Sequence, residues 1–220
     1  NDITEKKEGE AALERAVAEK ELLLRELRHR VKNSLSIVSS LLSLDQDLVQ
    51  DEFVSERFRV AIGRIKSISA IYEQLNGSES FESVCLRQYL EKLIAMIRDS
   101  FSLPDDRIVF ADRTEDSRIT LRIAVPVGLI LNELITNAIK YAYPENGAGQ
   151  GVGEIRVVLD RDGMRYRLSV EDDGKGLPEG FKPEEASGLG LRISGMLAQQ
   201  IGGTLSYDGA ERGTRATVEF

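Results

Sequence analysis

Asn132-Glu133-Leu134-Ile135-Thr136-Asn137-Ala138-Ile139-Lys140-Tyr141 is the stretch on which the fold turns. It holds neither proline nor glycine, and Glu133, Asn137, Lys140 and Tyr141 recur at i, i+4, i+7 and i+8, the spacing of one helix face. The opposite positions, Leu131, Leu134, Ile135, Ala138 and Ala142, are apolar. The segment therefore predicts a helix lying on a sheet, with a polar stripe turned towards a pocket. An amide oxygen suits Mg²⁺, which takes one or two protein ligands beside substrate phosphates and waters, and Asn137 fits that role. On the residues alone, a solvated helix face explains the stripe equally well.

The flanks of that helix give the rest of the second half. Upstream lie a helical pattern over residues 86–97, a turn at Leu103-Pro104-Asp105-Asp106 and a short strand over 107–111. The central helix itself is expected over 121–143, with Pro126 near its first turn. After a Gly-rich loop, strands over 154–160 and 164–171 flank Asp162-Gly163, a hairpin signal. Asp172-Asp173-Gly174-Lys175-Gly176 then puts a carboxylate at a strand end before a permissive turn. A carboxylate there can accept a hydrogen bond from an exocyclic amine while the glycines let a flat ring approach the backbone, although taken alone an ordinary acidic glycine turn explains the segment better. Gly188-Leu189-Gly190-Leu191 opens a helix expected over 189–201, whose free N–H groups favour phosphate. Gly202-Gly203 ends that helix, and strands over 204–207 and 214–220 close the chain. Strands with helices along one side make this half an α+β sandwich.

The first half has a different texture. Leu13, Val17, Leu24, Leu27, Val31, Leu35, Val38 and Leu42 step by sevens, threes and fours over residues 5–44, which reads as one long amphipathic helix. Asp45-Gln46-Asp47 is the expected break. A second series, Val54, Phe58, Ala61, Ile65, Ile68, Tyr72 and Leu75, runs to a stop at Asn76-Gly77. Two such helices form an antiparallel hairpin with a thin core, so a second copy completing a four-helix bundle is expected, although the stripes could instead pack within the chain. The only histidine, His29, lies two residues from both Leu27 and Val31 and so points about 180° from their mean direction, towards water. Arg28, Arg30 and Lys32 surround it with charges able to meet a phosphate, and Asn33 shares its face one turn on, although on geometry alone an ordinary surface histidine is the simpler reading.

Composition sets the outer limits. The 220 residues suffice for two units, and 41% hydrophobic with 30% charged residues describes a globular chain. With 29 basic and 37 acidic residues the net charge is −8, which disfavours nucleic acid and anionic membranes. A lone Cys85 between Val84 and Leu86 is expected to be a buried thiol, and with no apolar run of membrane-spanning length a cytoplasmic setting is expected. The start at Asn1, without Met, suggests a piece of a longer chain.

The order of these pieces is more specific than any one of them. Residues 81–220 resemble the GHKL ATP-binding fold shared by histidine kinases, the Hsp90 chaperone, gyrase B and MutL. Asn-Glu-x-x-x-Asn-Ala-x-Lys-Tyr is similar to its N box, the segment 172–176 to its G1 box and 188–191 to its G2 box, while Gly213-Thr214 resembles its final adenine-binding motif. The resemblance implies that Asn137 ligates Mg²⁺ and Asp172 binds the adenine amine. It also implies that Gly174, Gly176, Gly188, Leu189, Gly190, Leu191, Lys140, Tyr141 and Thr214 shape the ATP site, with Glu133 in the position of the general base of the ATPase members. Glu26-Leu27-Arg28-His29-Arg30-Val31-Lys32-Asn33-Ser34-Leu35 resembles the phosphoacceptor box of the His-Arg-x-x-Asn sensor histidine kinases, relatives of the HWE group. Arg30 stands where the commonest histidine kinases carry an acidic residue.

The resemblance as a whole implies a dimerisation and phosphotransfer hairpin over 1–78 and a catalytic domain over 79–220. It implies ATP and Mg²⁺ as cofactors, His29 as phosphoacceptor supported by Arg30 and Asn33, and a response-regulator receiver domain as partner. Residues 1–5 resemble the exit of a PAS sensor domain, which would sit upstream. A GHKL-type ATPase in which water replaces histidine as acceptor, and a dimeric scaffold with a degenerate nucleotide site, are the alternatives.

Overall fold

A computed structural model describes residues 2–75, 83–101, 103, 107–114, 118–143, 153–183, 189–209 and 212–220. The Asn76-Gly77 stop, the turn at Pro104-Asp105-Asp106, most of the Gly-rich loop and Gly188 lie outside the described residues. Two long helices open the chain, α1 (Asp2–Leu48) and α2 (Glu52–Leu75). The break falls at residues 49–51 rather than at Asp45-Gln46-Asp47, because Asp51 is the residue that caps α2. Its carboxylate accepts the Val54 backbone N–H at 3.1 Å, and its carbonyl accepts Ser55 N–H at 2.9 Å. At 1.5 Å per residue α1 is about 70 Å long and α2 about 36 Å, so α2 can cover only half of α1. Leu13, Val17, Leu22, Leu23 and Leu24 remain exposed, as do Leu27, Ile37, Val38, Leu41, Leu44 and Leu48 beside the α2 segment.

The second half begins with β1 (Ser83–Cys85), α3 (Leu86–Ser100), β2 (Ile108–Asp112), β3 (Arg118–Thr120) and α4 (Leu121–Tyr141). It continues through β4 (Ile155–Asp162), β5 (Arg165–Asp172), α5 (Leu189–Gln200), β6 (Thr204–Gly209) and β7 (Thr214–Glu219). The main sheet has the order β2-β4-β5-β7-β6, with β2 and β4 parallel and the remaining pairs antiparallel. β1 and β3 form a separate two-stranded sheet that pairs Val84 with Ile119. Strands of three residues carry too little alternation to be read from sequence.

Ile155, Val157, Leu159, Leu168, Val170, Ala216 and Val218 form the apolar face of the main sheet, closed by α3, α4 and α5. The mixed helix-and-sheet sandwich expected of the second half is what forms. Ala70 and Ile71 of α2 belong to the same core, and the Tyr89 hydroxyl donates to the Ser67 carbonyl at 3.2 Å. The hairpin is therefore docked through Ile62, Ser67, Ala70 and Ile71, between the heptad positions that the sequence emphasises.

Three further expectations need correction. Pro126 sits inside α4, at its sixth residue, where the bond it forgoes is to the carbonyl of Arg122 on an exposed first turn that water can reach. The β4–β5 hairpin pairs Asp162 with Arg165, so its two-residue turn is Gly163-Met164, with Gly163 at φ 58°. Cys85 is only half-buried, at the N-cap of α3 between the buried Val84 and Leu86. In addition, α4 is long and apolar enough by composition to cross a membrane, which corrects the expectation that no apolar run reaches that length. Of that apolar window, 67% is buried inside the protein, as befits a core helix.

Candidate functional site

Asp172 ends β5 and is half-buried where the β6–β7 connection folds back over it. Its Oδ1 accepts the backbone N–H of Gly174 at 3.0 Å and of Thr214 at 3.3 Å, and the Thr214 hydroxyl adds a further hydrogen bond. Burial raises the Asp172 carboxyl above its ordinary value, against the lowering effect of these donors. Gly213, at φ 82°, lies so close to the Asp172 carbonyl that no side chain fits between them. The turn after Asp172 is pinned to the end of α4 by a 3.0 Å bond from Lys175 N–H to the Ala142 carbonyl.

Asp173 faces the other way. Burial acts to raise its carboxyl, but the Tyr143 hydroxyl and the Glu154 N–H, the latter at 2.9 Å, bring it below its ordinary value. Asp173 thus anchors the loop, while Asp172 is held by Gly174 and Thr214. The strand of origin decides this: Asp172 pairs with Ile155 as the last rung of β5, and Asp173 lies just beyond it.

The polar stripe of α4 departs from expectation. Asn137 is partly exposed, and its amide has no side-chain hydrogen bond among the described residues. Tyr141 is exposed. Glu133, by contrast, is buried at 4% exposure, and its Oε1 accepts Arg64 Nε of α2 at 2.7 Å. Gly190, at the start of α5, lies against the other Glu133 oxygen, so a methyl at that position would overlap it. Lys140 is paired with Glu56 of α2 at 2.5 Å. Two of the four stripe residues thus face the hairpin instead of an open pocket.

Sequence reasoning missed Glu56 and Arg64, although a signal existed. Glu56 and Arg64 are eight residues apart, Glu133 and Lys140 seven, and the acid precedes the base in both, so opposite charges meet when the two helices run antiparallel. Tyr207 of β6 was missed as well. Its ring meets Phe181 edge-on with centroids 5.9 Å apart, and burial followed by the nearby Glu133 charge pushes its hydroxyl pKa up.

On α1, His29 is exposed, but Leu27, expected on the buried face opposite it, is exposed as well, so the angular argument does not account for it; Asn33 is exposed one turn on. Arg30 binds back to Glu26 at 2.6 Å, and Lys32 to Glu73 of α2 at 2.9 Å. Arg28, expected beside His29, is instead 6% exposed and turned into the hairpin. Leu189 is exposed and Gly190 and Leu191 are partly so, at the first turn of α5.

The residues present suit a nucleotide. A carboxylate is held at a strand end beside backbone donors, and Asn137 of α4 makes no side-chain hydrogen bond among the described residues. No cluster of three or more His, Cys, Asp or Glu able to hold a metal occurs among the described residues, so a metal here would depend on Asn137 and on oxygens of the nucleotide itself.

Residues 26–101 match the family model described as histidine kinase, and residues 123–220 match that of the histidine kinase-, DNA gyrase B- and HSP90-like ATPases. The chain belongs to the histidine kinases. Among curated histidine kinases it is 30% identical over 216 residues to the sensor histidine kinase PdtaS of Mycobacterium tuberculosis, covering 97% of this chain and 41% of PdtaS. It is 25% identical over 201 residues to blue-light-activated histidine kinase 2 of Erythrobacter litoralis, covering 90% of this chain and 56% of that protein. The chain thus spans about half the length of these relatives. Its fold is that of the histidine kinase domain of the Erythrobacter litoralis EL346 blue-light-activated kinase, with a TM-score of 0.62 at 21% identity over 84% of this chain and 95% of that one.

Proposed function

We propose that this chain is the catalytic core of a sensor histidine kinase, one that moves the γ-phosphoryl group of ATP to His29 and from there to an aspartate of a response-regulator receiver domain. The observation that carries the reading is the combination, in one chain, of a solitary exposed histidine on a long hairpin helix with the Asp172 carboxylate held at a strand end by Gly174 and Thr214. Asp172 would accept the adenine amine, and Thr214 and Gly174 hold its carboxylate in place for that contact. Gly176 and Gly188-Leu189-Gly190-Leu191 would shape the pocket, Lys140 and Tyr141 would border the phosphates, and Asn137 would ligate Mg²⁺, which neutralises phosphate charge during transfer.

In the transfer, an imidazole nitrogen of His29 forms the N–P bond as the bond to the ADP oxygen breaks, and the imidazole proton leaves to a base. Glu133 is the candidate base, and it becomes available once Arg64 moves off it. Arg30 and Asn33 would steady the phosphoryl group on His29. The domain division proposed is a hairpin over 1–78 and a catalytic unit over 79–220. The uncovered apolar stripe of α1 supports a homodimer, and a sensor domain, PAS-like in kind, would act through the same helix from upstream in a cytoplasmic protein.

Incubation with Mg²⁺ and γ-labelled ATP tests the reading. Label retained in alkali, lost in acid and absent from His29→Ala is the expected result. Equal phosphate release by both versions without label would instead favour an ATPase using water as acceptor.

A further inference from the structure

Glu56 lies on α2, 27 residues after His29, and reaches across to the helix that carries the nucleotide residues. Its two oxygens divide their work, with Oε2 accepting Arg59 at 2.5 Å and Oε1 facing Lys140 Nζ at 2.5 Å. Oε1 is buried and makes no well-formed hydrogen bond, so the contact with Lys140 is one of charge. One turn of α4 separates Lys140 from the partly exposed Asn137. Two turns away, Arg64 fixes Glu133 in the same manner, so α2 holds both charged members of the stripe.

A carboxylate and a triphosphate present the same chemistry to an ammonium group: oxygen anions that accept its protons. They cannot share Lys140 without bringing like charges together. We propose that Glu56 is a built-in competitor of the nucleotide phosphates for Lys140, so that seating the phosphate tail and releasing α2 from α4 are one event. The proposal rests on reading Lys140 as a phosphate-binding cation. It assigns to the hairpin a grip on nucleotide affinity that acts through a single carboxylate. It also gives the released helix a consequence, since the same movement would uncover Glu133 from Arg64.

The test is calorimetric binding of a β,γ-imido ATP analogue, ADP and adenosine, each with Mg²⁺, to the wild type and to Glu56→Gln and Glu56→Ala. Glu219→Gln, which removes an equal charge where β7 pairs with Arg167, far along β5 from Asp172, serves as control. Both Glu56 variants are expected to bind the triphosphate about two- to fivefold more tightly, the range appropriate to a partly exposed ion pair. ADP should gain less, adenosine nothing, and Glu219→Gln should match the wild type. Unchanged triphosphate affinity overturns the proposal, as does an equal gain for adenosine, which would mean a generally opened pocket. An equal gain in Glu219→Gln would mean a net-charge effect and overturns it too. Failure of every version, wild type included, to bind any nucleotide defeats the proposed function and the competitor role with it.

Discussion

At the residue scale, Asp172 shows how a single carboxylate can be costly to the fold and useful to the site. Burial lifts its carboxyl above the ordinary 3.8, so the folded chain binds this proton more tightly than the unfolded chain does. Between the unfolded and folded values the native state carries more protons, and stability falls as pH rises through that window. Keeping Asp172 ionised at neutral pH therefore costs folding free energy, which the Gly174 and Thr214 donors offset in part. Asp172→Asn should weaken ATP binding about tenfold or more, the effect of losing a charged hydrogen-bond acceptor, while the thermal midpoint at pH 7 stays equal or rises. A titration and a melting curve on the same sample check both halves. A fall in midpoint together with affinity would show that Asp172 is structural.

At the scale of elements, the hairpin is tied to the catalytic unit by a charge cluster as well as by apolar packing. Glu73 of α2 meets Lys92 of α3 and Lys32 of α1, and these two hydrogen-bonded cations, Lys92 foremost, hold its carboxyl below the ordinary 4.5. A depressed carboxylate contributes stability that is present above its unfolded value and lost as pH falls through the folded one. Glu73→Gln should thus lower the urea midpoint at pH 7 and converge with the wild type as pH drops below 4.5. A constant offset across that range would mean the loss is one of shape. Most elements were legible because their periodicity is long: α4, α5 and the β4–β5 hairpin lie within a few residues of where the pattern puts them. The helix break was misplaced because two acidic clusters compete for it, and only the cap geometry of Asp51 decides between them. The candidate site was legible where it rests on a local motif, as in the Asp172–Gly174 turn. Contacts between α2 and α4 join residues some seventy positions apart, and no local pattern reports them directly.

At the scale of the molecule, α1 is longer than anything here that covers it. Leu27, Leu41, Leu44 and Leu48 form an exposed apolar line continuing the heptad stripe, and burying such a line at about 25 cal/mol per Å² would drive association of two hairpins. The chain is expected to sediment as a dimer, and Leu41→Glu with Leu44→Glu to sediment as a monomer that still binds ATP. A wild type that sediments as a monomer at micromolar concentration would contradict the bundle. The central claim concerns where the phosphoryl group goes, and its most direct measurement is mass-spectrometric mapping of the chain after Mg·ATP, digested at alkaline pH. The account predicts one phosphorylated peptide carrying the group on His29, and a phosphoryl group on any other residue, or on none while ATP is consumed, would contradict it.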